Sequence, residues 1–367
     1  MTIAPTILFQ APNRIGLGHL NRLASIAVAL QSLSPGIKTP FVIEGASHLF
    51  LERFGLAFLT IPSSVELARS PEWACWAENE REQLATRLAD TILEAWKPQL
   101  VVYDCLPSLH FSNVVRQKRI PIAFCIRQVR NFESYAEDPR VNLAISDAQL
   151  LIVPHSATTF SLPAHLLTKT VYVGDVIRPT VAVVSKSTRT IGAGKRLVII
   201  TGGGGGHPRT VDFYNLALRS LHPILRRRND LYVLLVAGPL FHEWNRLLLS
   251  ARIHVSPFEP ELDSLFSQAA LVISQAGYNS MVELSALGVP TICMPQPRAL
   301  DDQFERAEVF SRENEDFRLY RGADSVELMN LIIQCLEESV TRRNPAFPRQ
   351  ANGAQLAARA LMHLVER

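Results

Sequence analysis

Short apolar runs alternate along this chain with longer stretches in which apolar residues recur every three or four positions. Residues 6–10, 39–43, 100–103, 121–126 and 150–153 are brief and mostly apolar, the pattern of strands buried on both faces of a parallel sheet. Between them, residues 20–30 and 80–96 carry helical spacing, the latter with Leu84, Leu88, Ile92 and Ala95 predicted on one face. The second half repeats the scheme with strands predicted at 196–200, 231–237, 253–255, 271–274 and 291–294. Such alternation predicts the α/β class, with two doubly wound, Rossmann-like domains whose sheets face one another across a cleft.

Length agrees, because 367 residues with 47% hydrophobic content exceed what one core usually organises. The seam is expected where periodicity lapses into VAVVSKSTRTIGAGK. That gives an N-terminal domain at 1–175, a linker at 176–194 and a C-terminal domain at 195–345. A last helix at 351–367, after a Pro-containing segment at 344–348, is expected to cross back onto the first domain.

Charge removes some functions. The 37 basic and 34 acidic residues leave a net charge of +3, which is no nucleic-acid footprint. The run Arg226-Arg227-Arg228 falls near a predicted helix end, where cations suit the dipole; weak contact with anionic lipid is the lesser reading. Cysteines 75, 105, 125, 293 and 335 lack paired spacing and read as reduced thiols, not as disulfides or a zinc site. With no secretion signal and no apolar run near ~18 residues, the chain is expected to be cytoplasmic.

The candidate chemistry lies at the predicted strand ends. After strand 271–274 the turn 275–278 carries Gly277, a helix is expected to open at Asn279, and Glu283 is expected on its first turn, pointing back toward the turn. A carboxylate there suits the two hydroxyls of a ribose, and free helix-start amides suit a diphosphate. A solvated helix residue is the alternative for Glu283. Asp301, Asp302 and Gln303 offer groups for sugar hydroxyls. The run TGGGGGH at 201–207, with Gly202, Gly203, Gly204 and Gly205, is expected to form a backbone nest for phosphate, ahead of a helix begun by Pro208. A floppy loop is its alternative, and no Walker frame is present.

In the first half, the turn with Gly16 and Gly18 precedes His19, which is expected at a helix N-terminus where the dipole keeps imidazole neutral and basic. Asp104 and Arg127 follow their strands on the same edge, and Asp104 is a candidate to orient His19. Arg178 at the seam is a candidate for the pyrophosphate, and Phe258 for stacking on the base. The G-x-G at 16–18 has Asn21 in place of a third glycine, and the next acidic strand end, Glu44, is distant, so NAD-dependent oxidoreduction is weakly supported.

In order and spacing, several motifs resemble a known family. They are GLGHLNR at 16–22, GDVIR at 174–178, the glycine run at 202–206, PFEPEL at 257–262, AGYNSMVELSALGVP at 276–290 and DDQFERA at 301–307. The chain resembles two-domain glycosyltransferases of the GT-B type, close to those sharing the family 28 C-terminal domain of the lipid-linked N-acetylglucosaminyltransferase of peptidoglycan synthesis. The GLGH turn is shorter than that enzyme's glycine-rich turn.

The resemblance implies transfer of a sugar from a nucleoside diphosphate, UDP or dTDP, to an acceptor hydroxyl, with inversion and without a metal or resident cofactor. It implies that Glu283 binds the ribose, residues 277–280 (Gly277, Asn279 and Ser280 among them) the phosphates, Phe258 the base, and Asp302 and Gln303 the transferred sugar. His19 would act as general base, with Gly16, Gly18 and Arg127 on the acceptor side. A hydrolase of a nucleotide-linked sugar and a non-catalytic sugar-nucleotide sensor would share nearly all of these motifs.

Overall fold

The computed structural model describes residues 4–12, 16–44, 48–61, 76–178, 194–298, 300–341 and 353–366. By its contacts the chain divides into two compact units. One comprises Met1–Arg14, His19–Pro179 and Ala351–Arg367, and the other Ile15–Gly18 and Thr180–Gln350. Most of the expected linker, residues 179–193, and the segment at 344–348 lie outside the described residues, as does Cys75.

The first unit runs β1 (Ile7–Pro12), α1 (Gly18–Leu33), β2 (Phe41–Glu44), α2 (Leu49–Arg53), β3 (Phe58–Ile61), α3 (Glu78–Trp96), β4 (Leu100–Asp104) and α4 (Leu109–Gln117). It continues with β5 (Ile122–Cys125), α5 (Phe132–Ala136), α6 (Pro139–Asp147), β6 (Leu150–Val153) and β7 (Thr170–Tyr172). The strands form one sheet in the order β3-β2-β1-β4-β5-β6-β7, with every described pairing parallel. The chain winds outward from β1 to β3, then restarts at β4 on the other side of β1. The strand order therefore reverses between β1 and β4, and at such a point the loops beyond the carboxyl ends diverge and leave a crevice for ligands.

The second unit contains β8 (Arg196–Thr201), α7 (Thr210–Arg227), β9 (Leu231–Val236), β10 (Ile253–Ser256), α8 (Leu262–Gln268), β11 (Ala269–Ser274) and α9 (Tyr278–Leu287). It ends with β12 (Thr291–Cys293), α10 (Gln303–Glu313), β13 (Phe317–Leu319) and α11 (Ser325–Thr341). Its sheet runs β10-β9-β8-β11-β12-β13, so the reversal falls between β8 and β11. Alternate residues of β8 serve opposite layers: Val198 and Ile200 pack with α7 residues Val211 and Leu218, while Leu197 and Ile199 pack with Met281 and Leu284 of α9.

Three strands escape the hydrophobic pattern: β3, β7 and β13, each at a sheet edge and each partly exposed. The buried face of α3 is Ala89, Ile92 and Leu93, and Ala95 is exposed, contrary to the face expected from spacing. The helix turns Leu93 inward because it packs beside α4 in the same core as Phe111 and Val115. The last helix, α12 (Gly353–Val365), belongs to the first unit: it packs on β6, buries Ala357, Ala358 and Leu361, and its Gly353 amide donates to the Asp175 carbonyl at 3.2 Å.

Candidate active site

At the reversal of the first sheet, β4 ends in Asp104, which is wholly buried. Its Oδ1 accepts from Nδ1 of His19 at 2.7 Å. Arg22, one turn further along α1 and 2% exposed, donates from Nε to Oδ2 at 2.7 Å and from Nη2 to Oδ1 at 2.8 Å. Spacing along α1 explains the arrangement, since residues three apart share a helix face, so His19 and Arg22 meet one carboxylate. With the Nδ1 proton donated to Asp104, the other ring nitrogen of a neutral His19 is the basic one.

The electrostatics correct the neutral imidazole expected from the helix dipole. Burial opposes the charged ring, but Cys105 and then the Asp104 carboxylate together outweigh it and raise His19 to about 9. The His19 side chain keeps 23% exposure, which limits the burial penalty. A contact carboxylate at 2.7 Å outweighs the partial charge of a helix end. For Asp104, burial is likewise outweighed, by Arg22 and then His19, and the carboxyl is held well below its usual range.

The corner after Asp104 is unusual. Cys105 has φ of 56° although it is not glycine, and the Leu106 amide donates back to the Asp104 carbonyl at 2.7 Å. The Cys105 amide donates to the Cys125 carbonyl at 3.0 Å, and the hydroxyl of buried Tyr135 on α5 donates to the Cys105 carbonyl. Arg22, Cys105 and Tyr135 were not singled out by sequence reasoning. Arg22 stands inside the motif GLGHLNR, three residues from His19, and that spacing was the available signal.

His19, Asp104 and Cys105 are the one group among the described residues whose ligand atoms come within 4.8 Å of one another as a metal site would require. Both Asp104 oxygens are already bonded to a guanidinium, and its fixed charge opposes a second cation there. Arg127 lies two residues beyond β5, half-buried, with Nη1 3.4 Å from the Gln128 carbonyl. Gly16 and Gly18 group by their contacts with the second unit, although Gly18 opens α1 of the first. Arg178 belongs to the first unit, its guanidinium carbon 5.1 Å from the Phe50 ring centroid. Glu44 is buried and accepts from Gln10 at 3.4 Å, which ties it into the sheet.

In the second unit the glycine run has more structural reason than the sequence suggested. A Cβ at Gly202 would stand 2.6 Å from the Tyr214 hydroxyl oxygen, and Gly203 and Gly205 have φ of 67° and 81°. A Cβ at Gly205 would also strike the Ala237 carbonyl oxygen. The Gly204 carbonyl accepts the Leu240 amide at 2.9 Å. Packing and turn geometry therefore require glycine at several of these positions, so the run does not by itself demand a phosphate. The helix after it, α7, begins at Thr210 with Arg209 as its cap, two residues beyond the Pro208 expected to start it.

The same loop is electropositive. Burial, then the charges of Arg298 and Arg209, push His207 down to about 4. Arg298 reaches Oε1 of buried Gln275 at 3.4 Å, in the turn between β11 and α9. Within that turn the left-handed residue is Ala276, φ 58°, whose carbonyl lies 3.4 Å from Nη1 of Arg306. Gly277 has an ordinary φ of −65° and caps α9 without a side-chain hydrogen bond, and a Cβ there would meet nothing within 4 Å. Asn279 and Ser280 are half-buried in the first turn.

Glu283 lies in the second turn, not the first, because the helix starts at Tyr278, and it is 3% exposed instead of solvated. Asp302 caps α10 by accepting the Glu305 amide at 3.0 Å, and Gln303 is buried with Oε1 accepting the Gln296 amide at 3.0 Å. Both therefore have structural work beside the expected contacts with sugar. Phe258 is half-buried beyond β10, and its carbonyl accepts from Ser256 Oγ at 2.9 Å.

Comparison with known proteins decides the class. Residues 197–363 match the model of the glycosyltransferase family 28 C-terminal domain. That match takes in the elements of the second unit from β8 onward and runs on into α12 of the first. Along most of its length the chain is similar to the UDP-N-acetylglucosamine--N-acetylmuramyl-(pentapeptide) pyrophosphoryl-undecaprenol N-acetylglucosamine transferase of Nitrobacter winogradskyi, at 27% identity over 85% of this chain and 83% of that protein. The namesake transferase of Aquifex aeolicus is 33% identical over 31% of this chain and 32% of its own length.

Among solved structures, Acinetobacter baumannii MurG is 18% identical with a TM-score of 0.55, covering 99% of each chain. The UDP-GlcNAc 2-epimerase from Neisseria meningitidis bound to UDP-GlcNAc is 14% identical with a TM-score of 0.63, covering 98% of this chain and 100% of that one. These likenesses show the two-sheet α/β fold. With the family 28 match and transferase relatives along the chain, it is an enzyme of the glycosyltransferase class, related to the peptidoglycan N-acetylglucosaminyltransferases.

Proposed function

We propose that the enzyme transfers a sugar from a UDP-linked donor to an acceptor hydroxyl, with His19 as general base and inversion at the anomeric carbon. The single observation that carries the base assignment is the 2.7 Å bond from His19 Nδ1 to Asp104 at the reversal of the first sheet. His19 takes the acceptor proton on its other ring nitrogen, and Asp104 stabilises the imidazolium that results.

The second unit holds the donor. The side-chain-free cap at Gly277 leaves the first amides of α9 for the diphosphate, and Arg298 and Arg209 supply positive charge at the neighbouring loop. Glu283 binds the ribose, Phe258 flanks the base, and Asp302 and Gln303 meet the transferred sugar. With the leaving group compensated by fixed cations and dipoles, the transfer uses no metal and no resident cofactor. The chain works in the cytoplasm.

The donor is tested by thermal shift with UDP, dTDP, GDP and their sugar conjugates, since a ligand at 100 times its Kd stabilises by about 2.7 kcal/mol. Failure of every nucleotide to shift the transition overturns the donor assignment. Release of free sugar without acceptor, undiminished when alcohols are added, replaces transfer by hydrolysis. Full turnover in His19→Ala with intact UDP binding removes His19 as base.

A further inference from the structure

The corner that presents Asp104 is held by two side chains that touch no reacting atom in the proposed reaction. We propose that Arg22 and Tyr135 are positioning residues for the His19–Asp104 pair, Arg22 by fixing both carboxylate oxygens and Tyr135 by tying down the left-handed Cys105 corner. The effect on turnover rests on the transferase reading, whereas the effect on His19 titration does not.

The chain reverses directly after Asp104, with the Leu106 amide bonded to the Asp104 carbonyl across Cys105. A non-glycine residue at φ 56° persists only where its surroundings over-determine it. Three contacts do so: the Cys105 amide to the Cys125 carbonyl, the Tyr135 hydroxyl to the Cys105 carbonyl, and Arg22 Nη2 to the Cys105 sulfur at 3.7 Å. Loss of the Tyr135 hydroxyl leaves a buried carbonyl without that donor and lets the corner relax. The carboxylate then swings relative to His19.

Arg22 acts on charge as well as position. The charged and titratable groups around His19 and Asp104 are Cys105 in the corner after β4, Arg22 of α1, Cys125 of β5, and Tyr135 of α5 with Arg127 facing it. Arg22 is the cation bonded to both carboxylate oxygens, so without it the whole Asp104 charge bears on His19. Lysine keeps the charge but has no fork to hold two oxygens.

The test follows the His19 ring by NMR through a pH titration of the full chain, with His19→Ala giving the assignment. Arg22→Met is expected to raise the His19 midpoint by roughly one pH unit, and Arg22→Lys to leave it within a few tenths. Both Arg22→Lys and Tyr135→Phe are expected to lower kcat roughly 3- to 30-fold with the donor KM unchanged, as misplacement of a base does. An unshifted midpoint in folded Arg22→Met, or unchanged kcat in both Arg22→Lys and Tyr135→Phe, overturns the proposal. Should Arg22→Met not fold, the two milder variants decide it. If the unaltered chain transfers no sugar, the titration still decides the positioning role while the transferase reading falls.

Discussion

Asp104 accepts a hydrogen bond from Nδ1 of His19 at 2.7 Å while an arginine holds its other side, so a histidine at a helix start is charged where its helix alone would keep it neutral. A base must be unprotonated. We expect log kcat/KM to rise with unit slope from pH 6 and to level at about pH 9, where His19 titrates. A flat profile between pH 7 and 9 would place the proton acceptor elsewhere.

Asp104→Asn removes one of the two groups that raise His19 against burial, so the limb of the profile should move to lower pH. Activity at the optimum should still fall, on the order of 10²-fold, because the ring loses its orienting partner. The same change leaves Arg22 buried without its counter-ion, at a cost of about 3–5 kcal/mol. Urea titration at pH 7 measures that cost.

The two shifts also fix how stability depends on pH. His19 is raised, so its contribution is complete below its unfolded value of 6.5 and fades as pH climbs through about 9. Asp104 is lowered, so its contribution is complete above the unfolded value of 3.8 and fades as pH falls toward the folded one. Denaturation midpoints across pH 2–10 should fall on both flanks, and in His19→Ala the alkaline fall should flatten.

Gly202 donates its amide to the Tyr214 hydroxyl at 3.0 Å, and that hydroxyl bonds the Ala237 carbonyl at 2.8 Å. Gly202→Ala drives a methyl into the hydroxyl and should cost about 1–3 kcal/mol. Tyr214→Phe abandons two buried backbone groups and should cost about 1–3 kcal/mol by itself. The double variant should cost less than the sum, since removing the hydroxyl makes room for the methyl. Strict additivity in a double-mutant cycle would mean that the two positions do not meet.

Arg298→Ala should weaken UDP at least tenfold, or about 1.4 kcal/mol, and leave uridine unaffected, because its charge bears on phosphate. Glu283→Gln should weaken both, because the ribose that Glu283 is proposed to bind is common to the two. Calorimetry with the pair of ligands separates these outcomes, and equal losses of UDP and uridine in Arg298→Ala would assign it to the nucleoside.

The central strands were legible because both their faces are buried, which leaves uninterrupted apolar runs such as LVVY at 100–103 and LVII at 197–200. The edges were not. β3, β7 and β13 have neighbours on one side and partial exposure, so FLTI, TVY and FRL carry no such run. Asp104 and His19 could each be nominated from a strand end and a helix start, but their meeting depends on β1 and β4 being neighbours, which pairing settles and sequence order conceals. Arg22 was missed because a basic residue on a helix ordinarily faces water. The glycine run was over-read, since the bulk of Tyr214 twelve residues later is invisible in the run itself.

The closing helix gives the polypeptide a return path. Gly353 sits where any side chain would strike the Asp175 carbonyl, and Ala357, Ala358 and Leu361 vanish into the N-terminal layer. A ribosome that has released only residues 1–179 has thus not yet delivered the piece that finishes their lobe. A fragment cut at the apparent boundary would leave bare the apolar surface of β6 that α12 covers, and adding the fragment that carries the tail should restore its folding.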